Sequence, residues 1–246
     1  MSLSPPPPPA GRQLSLFGIE AAEPNSADLA GLLVGPGQVV RMGGTARVSV
    51  VVDAPWRVHV LVAEFAARGL AASWVTTADE HLGVRTAYAR GLASLAAQWL
   101  RGAMKRPPAD FHLDGPRLRL WLAAAGVAEP ERESFLLRLG ASDEHCWAVA
   151  STALEAVGLA GEMITARGGE LPGPAYRVTG RRRLARLAEL VGERPPAAPP
   201  DAWPAPPTPR TGPATPRTGR VTPRPAPVTP RTAPSPHAVD QLPLGG

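Results

Sequence analysis

The sequence predicts an α+β fold, a pseudo-twofold αββαββα repeat flanked by ends that do not pack. Three observations lead there. First, the 31 prolines are crowded at the ends: residues 5–9 hold five and residues 195–246 hold seventeen, leaving nine for the 185 residues between. Five consecutive prolines and an Ala/Pro/Thr/Arg tail carry too little apolar surface to offset ordering entropy. Second, segments with helical period and segments with strand period follow one another in the same order twice between about residues 28 and 192. Third, the charge is uneven. The chain carries +5 in all, and residues 202–246, with five arginines against Asp240, account for +4. The expected division is a disordered segment 1–25, a domain 26–194 in two halves (about 26–99 and 100–194), and a disordered tail 195–246.

The elements follow in order. DLAGLLVGPG (28–37) reads as a short apolar helix closed by glycine and proline. Gln38–Arg41, a Gly43-Gly44 turn and the alternating run Ala46–Asp53 read as a hairpin. Pro55 opens a helix whose apolar residues Val58, Leu61, Val62 and Phe65 share one face. Strand-like runs at Ala72–Thr76 and Leu82–Thr86 lead to a helix over Leu92–Leu100. The second round begins WLRGAMKRPP and passes through ADFHLDG and RLRLWLAAAG to the strand FLLRLG (135–140). A helix from about Ser142 to Val157, strands at Glu162–Arg167 and Ala175–Thr179, and the helix RRRLARLAELVG complete it.

That doubled order, opened by LAGLL, resembles the LAGLIDADG homing-endonuclease fold. Leu29, Ala30, Gly31, Leu32 and Gly37 match the family helix, and Leu100 and Gly102 match more loosely in the second copy. LRGAM there resembles the variant of catalytically silent, transcription-regulator members. The resemblance implies two motif helices crossing at the pseudo-twofold axis, where glycine lets the backbones approach. It also implies a carboxylate before each final glycine, holding divalent metal at the scissile phosphates. Those positions align with Pro36 and Pro107, which offer no ligand. Asp28 reads as a cap and Asp110 as a loop residue. The expectation is a fold that keeps DNA-binding geometry without metal-dependent cleavage, and therefore not an enzyme, with no metal and no cofactor.

Strand alternation supplies the candidate DNA-binding residues. Arg47 opposes Val48 and Val50, Arg85 opposes Val84, Arg138 opposes Leu137 and Leu139, and Arg177 opposes Tyr176 and Val178. Each projects from the face expected to be open, although ordinary solvent exposure explains the pattern equally well. Arg181, Arg182 and Arg183 crowd a helix start, where cations are unfavourable and a bound polyanion would relieve the conflict.

Gln13-Leu14-Ser15-Leu16-Phe17 looks like the bacterial sliding-clamp-binding peptide, Gln-Leu-Ser/Asp-Leu-Phe, and all five positions match. Leu16 and Phe17 would fill an apolar pocket, Leu14 a neighbouring depression, and Gln13 would bond at the rim. Near the other end, Thr208, Thr215, Thr222 and Thr229 each begin Thr-Pro-Arg at a spacing of seven. Proline in every unit rules out a coiled coil and makes the tail an extended spacer or a nonspecific basic arm.

The single cysteine, Cys146, excludes an intramolecular disulfide and a cysteine-rich zinc site. Asp143-Glu144-His145-Cys146 looks metal-like, but consecutive helical residues diverge, and His59, His81 and His112 show no ligand spacing. The six tryptophans are expected mostly in the core. No secretory signal and no transmembrane run are recognised, so the expected location is the cytoplasm, at the nucleoid. The reading is a monomeric accessory protein on double-stranded DNA, recruited to the sliding clamp in replication or repair. The alternatives are an active homing-type endonuclease with displaced metal ligands and a LAGLIDADG-like transcriptional regulator.

Overall fold

The computed structural model describes residues 23–165 and 173–205. A short 3₁₀ turn, Ser26–Leu29, leads into α1 (Ala30–Val34). Asn25 caps the turn, its side chain accepting from the Ala27 N–H, while Asp28 accepts from the Asn25 N–H at 2.9 Å. Asp28 also meets Arg68 at 3.0 Å in the interior, so this residue is both half of a cap and a buried ion pair.

The first half continues through β1 (Gln38–Met42), β2 (Thr45–Val52), α2 (Pro55–Ala67), β3 (Ala72–Thr76), β4 (Leu82–Thr86) and α3 (Ala93–Trp99). The second contains α4 (Gly115–Ala125), β7 (Gly126–Glu129), β8 (Ser134–Arg138), α5 (Glu144–Ala156), β9 (Glu162–Ile164), β10 (Ala175–Thr179) and α6 (Arg181–Val191). Between them, β5 (Leu100–Arg101) and β6 (Met104–Lys105) form a separate hairpin. The four-stranded sheets run β1-β2-β4-β3 and β7-β8-β10-β9, all antiparallel. Helix, hairpin, helix, hairpin, helix therefore occurs twice with one strand order, as the sequence predicts. Of the strand expected over Glu162–Arg167, the described part ends at Ile164.

One expectation is corrected. The second motif helix does not lie around Leu100, Gly102 and Pro107. Leu100 pairs with Lys105 across the small hairpin, Gly102 has φ +65° in its turn, and Pro107 lies in the connection to α4. Gly102 is there because a tight turn needs the left-handed region, not because two helices meet. The partner of α1 is α4. A Cβ on Gly31 would stand 1.8 Å from the Arg117 carbonyl oxygen, and one on Gly35 would stand 2.5 Å from the Trp121 ring. Glycine on one helix thus admits the backbone and largest side chain of the other. The residue before the glycine that ends α4 is Ala125, so neither helix ends on an acid.

The core gathers Leu29, Leu32 and Leu33 from the first motif segment with Leu118, Trp121 and Leu122 from α4. Trp121 also donates to the Arg138 carbonyl at 2.8 Å, fixing α4 to β8. Trp99, Trp121 and Trp203 are buried, whereas Trp74 is largely exposed. Trp203 belongs to the segment assigned to the tail. It donates to the Gly192 carbonyl at 3.3 Å beneath the Arg119 guanidinium, 5.1 Å from the ring centre. Residues 195–205 therefore pack on the domain beyond Arg194, because one large aromatic side chain offsets the ordering of a proline-rich strap.

Candidate nucleic-acid interface and the ends of the motif helices

In the first sheet one face covers the helices and the other is open, whereas in the second β8 is buried on both faces, with Leu136 at 1% and Leu137 at 0% exposure. On β2 the residues Ala46, Val48, Val50 and Val52 are buried, which leaves Arg47, Ser49 and Val51 on the open side. Arg47 lies over the Tyr88 ring at 4.9 Å, and Arg85 donates to the Ser73 hydroxyl at 3.3 Å. Strands β1–β4 carry three arginines (Arg41, Arg47, Arg85) and no acid. Strands β7–β10 carry Arg138 and Arg177 against Glu129 and Glu162.

The candidate arginines therefore fall into two groups. Arg177 is held by Glu129 through contacts of 2.8 and 3.1 Å. Burial would raise the Glu129 pKa, but the bonds from Arg177 and Ser134 and the charge of Arg177 outweigh it and hold the carboxyl below its ordinary range. Arg138 is held by Asp53 at 2.5 Å. Arg47 and Arg85 have no acidic partner among the described residues. Arg181, Arg182 and Arg183 lie apart from both, beside a cavity over Gly158 and Thr179. The segment Gln13–Phe17, expected to bind a sliding clamp, and the Thr-Pro-Arg repeats lie outside the described residues.

The ends of the two motif helices show an arrangement that the sequence reading did not anticipate. The chain's one lysine, Lys105, is 5% exposed, and its ammonium lies among three oxygens at the end of α1. It donates to the carbonyls of Gly35 (3.2 Å) and Gly37 (2.8 Å) and meets Asp143 Oδ2 at 2.6 Å. Gln38 donates to the same carboxylate oxygen at 3.0 Å, and the His145 ring bonds the Lys105 carbonyl. At the end of α4, Arg57 (4% exposed) donates to the carbonyls of Leu122 (3.3 Å), Ala123 (3.0 Å) and Gly126 (2.6 Å) and meets Asp53 at 2.7 Å. Burial lowers the Arg57 pKa, with Asp53 opposing that shift. Burial likewise pushes up on Asp53, but Arg57 and Arg138 outweigh it and hold its carboxyl low.

The two ends match each other. Asp53 stands just before α2, and Asp143 stands just before α5, the corresponding helix of the other half. Each motif helix thus ends on carbonyl oxygens, a carboxylate of the opposite half and a protein cation. A cation there complements the negative end of the helix dipole.

The metal implied by the LAGLIDADG resemblance does not fit this chain. Pro36 and Ala125 have no donor side chain, and the oxygens that remain already hold an ammonium and a guanidinium. Among the described residues no group of three His, Cys, Asp or Glu is placed to hold a metal ion, and no helix is long and apolar enough to cross a membrane.

Asp143, Glu144, His145 and Cys146 diverge as their helical spacing requires. Asp143 and His145 serve Lys105, whereas Cys146 is buried in the core. Burial pushes the Cys146 thiol up from its ordinary 9.0 to about 11. Because the unfolded thiol ionises first, the stability it contributes is complete below pH 9 and is lost as the pH climbs toward 11. Iodoacetamide at pH 8 should therefore label Cys146 in urea-unfolded protein and leave folded protein unmodified; equal labelling of both would contradict its burial.

No protein-family model and no curated protein matches the chain. Among solved structures, the homing endonuclease I-WcaI bound to its DNA recognition sequence is similar at a TM-score of 0.52 and 10% identity, over 69% of this chain and 81% of that one. Full-length DUF199/WhiA from Thermatoga maritima gives 0.49 and 11%, over 70% of this chain and 56% of its own. The N-terminal LAGLIDADG domain of DUF199/WhiA gives 0.45 and 13%, over 68% and 82%. The architecture is LAGLIDADG-like.

Proposed function

We propose, from that shared architecture, that the chain is a DNA-associated accessory protein that holds duplex DNA without metal-dependent cleavage and is recruited by the sliding clamp. The observation that supports DNA as partner is the first sheet, whose strands carry three arginines and no acid on a LAGLIDADG-like fold. The second sheet, with its arginines paired to Asp53 and Glu129, contributes shape more than charge. The five basic residues of segment 202–246 would add affinity through counterion release, without reading sequence.

Recruitment rests on Gln13–Phe17 and its five-position match. A peptide spanning Arg12–Ile19 should bind a bacterial sliding clamp with a dissociation constant of about 1–50 μM, since burying Leu14, Leu16 and Phe17 is offset by ordering the segment. Phe17→Ala should weaken binding at least about tenfold by removing the main buried group. Fluorescence anisotropy of the two labelled peptides decides this, and equal binding would remove the clamp from the proposal.

A further inference from the structure

Resting on the DNA reading, we infer that the open face of the first sheet selects thymine, by seating its C5-methyl group in a notch over Gly83. In the register of β2, β4 and β3, Gly83 lies between Val51 and Val75. Both valines are unusually exposed for their type, at 53% and 43%. Two residues along the same strands, and therefore on the same face, is the polar row Ser49–Arg85–Ser73, continued onto β1 by Gln38. Apart from Ser73, these rows line a shallow cavity of about 280 Å³ that also takes in Pro36 and Arg47.

The floor of the notch is open because Gly83 has no side chain. A Cβ built there would meet its nearest neighbours, Thr77 Cγ2 and Val75 Cγ2, at 3.6 and 3.7 Å, which is ordinary contact. Glycine is therefore not required by backbone crowding. Its φ also lies outside the left-handed region, so the strand would tolerate alanine. What glycine leaves is a depression about one methyl group deep, walled by two branched apolar side chains.

The surrounding charge argues for a nucleic-acid occupant over an apolar protein surface. The four strands carry no acid. The Nε–H of Arg47 is buried without a hydrogen-bond partner. Among the described residues, the Arg85 guanidinium makes one hydrogen bond, of 3.3 Å, to the Ser73 hydroxyl. In the major groove, arginine suits the O6 and N7 acceptors of guanine, and the apolar feature on a base edge is the thymine methyl. Valines beside arginines on one open sheet face answer both.

The test begins with a randomised 24-base-pair duplex pool, from which the full-length protein selects its preferred sequence. That duplex is then synthesised with deoxyuridine for every thymidine, which removes the methyl groups and leaves pairing intact. Intact protein should bind the deoxyuridine duplex about three- to tenfold more weakly. Gly83→Ala, which fills the notch without a clash, should bind both duplexes alike, at the weaker level. Equal binding of both duplexes by intact protein would overturn the inference, as would discrimination retained by Gly83→Ala. Failure of intact protein to retain any duplex would remove the DNA reading itself, and the notch with it.

Discussion

Lys105→Met should destabilise the domain by about 3–5 kcal/mol, the range found when one partner of a buried ion pair is removed. The side chain is buried, and methionine matches its length without its charge. Three oxygens then lose their cation: the carbonyls of Gly35 and Gly37 and the carboxylate of Asp143. Among the described residues, Gln38 alone would remain as a donor to that carboxylate. The double variant Lys105→Met/Asp143→Asn should recover about half of the loss, because it removes the uncompensated charge together with its partner. Urea unfolding followed by tryptophan fluorescence measures both. A single-variant loss below about 1 kcal/mol would mean that water replaces the ammonium at little cost.

Arg57→Ala should cost a similar amount, about 3–5 kcal/mol, for a different reason. Arg57 starts from α2 in the first half and ends on the carbonyls of Leu122, Ala123 and Gly126 in the second. Removing it takes the guanidinium from three buried carbonyls, of which Leu122 keeps the Gly126 N–H, and releases Asp53 from one of its two arginines. Arg57→Lys keeps the charge but has one ammonium for three divergent carbonyls, so it should restore less than half. Asp53, held low by both arginines, gives the loss a pH dependence. Its contribution in the intact protein is present above the ordinary carboxylate range and disappears as pH falls through the depressed folded value. The difference between intact protein and Arg57→Ala should therefore narrow in acid, and a constant difference down to pH 3 would assign it to the carbonyls alone.

Much of the architecture is legible in the sequence because alternation and helical period are local. Val48, Val50 and Val52 announce a half-buried strand, and Val58, Leu61 and Phe65 announce the helix behind it. The second motif helix is misplaced for a physical reason. Gly102 and Gly31 are the same letter, but one supplies a left-handed turn and the other admits a crossing backbone at 1.8 Å. Only the partner distinguishes them, and the partner is distant in sequence. The same holds at the helix ends. Lys105 stands out as the only lysine, yet nothing local connects it to Gly35, Gly37 or Asp143. For the arginines, alternation finds the face but not the neighbours: among the described residues, Arg177 and Arg138 meet acids on other elements, whereas Arg47 and Arg85 do not. Trp203 would have signalled the docked strap, since a tryptophan is costly to leave in water within a proline-rich spacer.

The solitary buried lysine also makes the molecule its own unfolding clock. An endoprotease that cuts only after lysine has one target in the whole chain, the bond between Lys105 and Arg106, and Lys105 is sealed against the end of α1. Cleavage then waits on opening of the hairpin that joins the two halves, and each cut yields the same two fragments, 1–105 and 106–246. With protease in modest supply the rate reads the population of the open form, and with protease in excess it reads the rate of opening. A single gel band series would thus report on the joint between the halves, in a crude extract as readily as in pure solution.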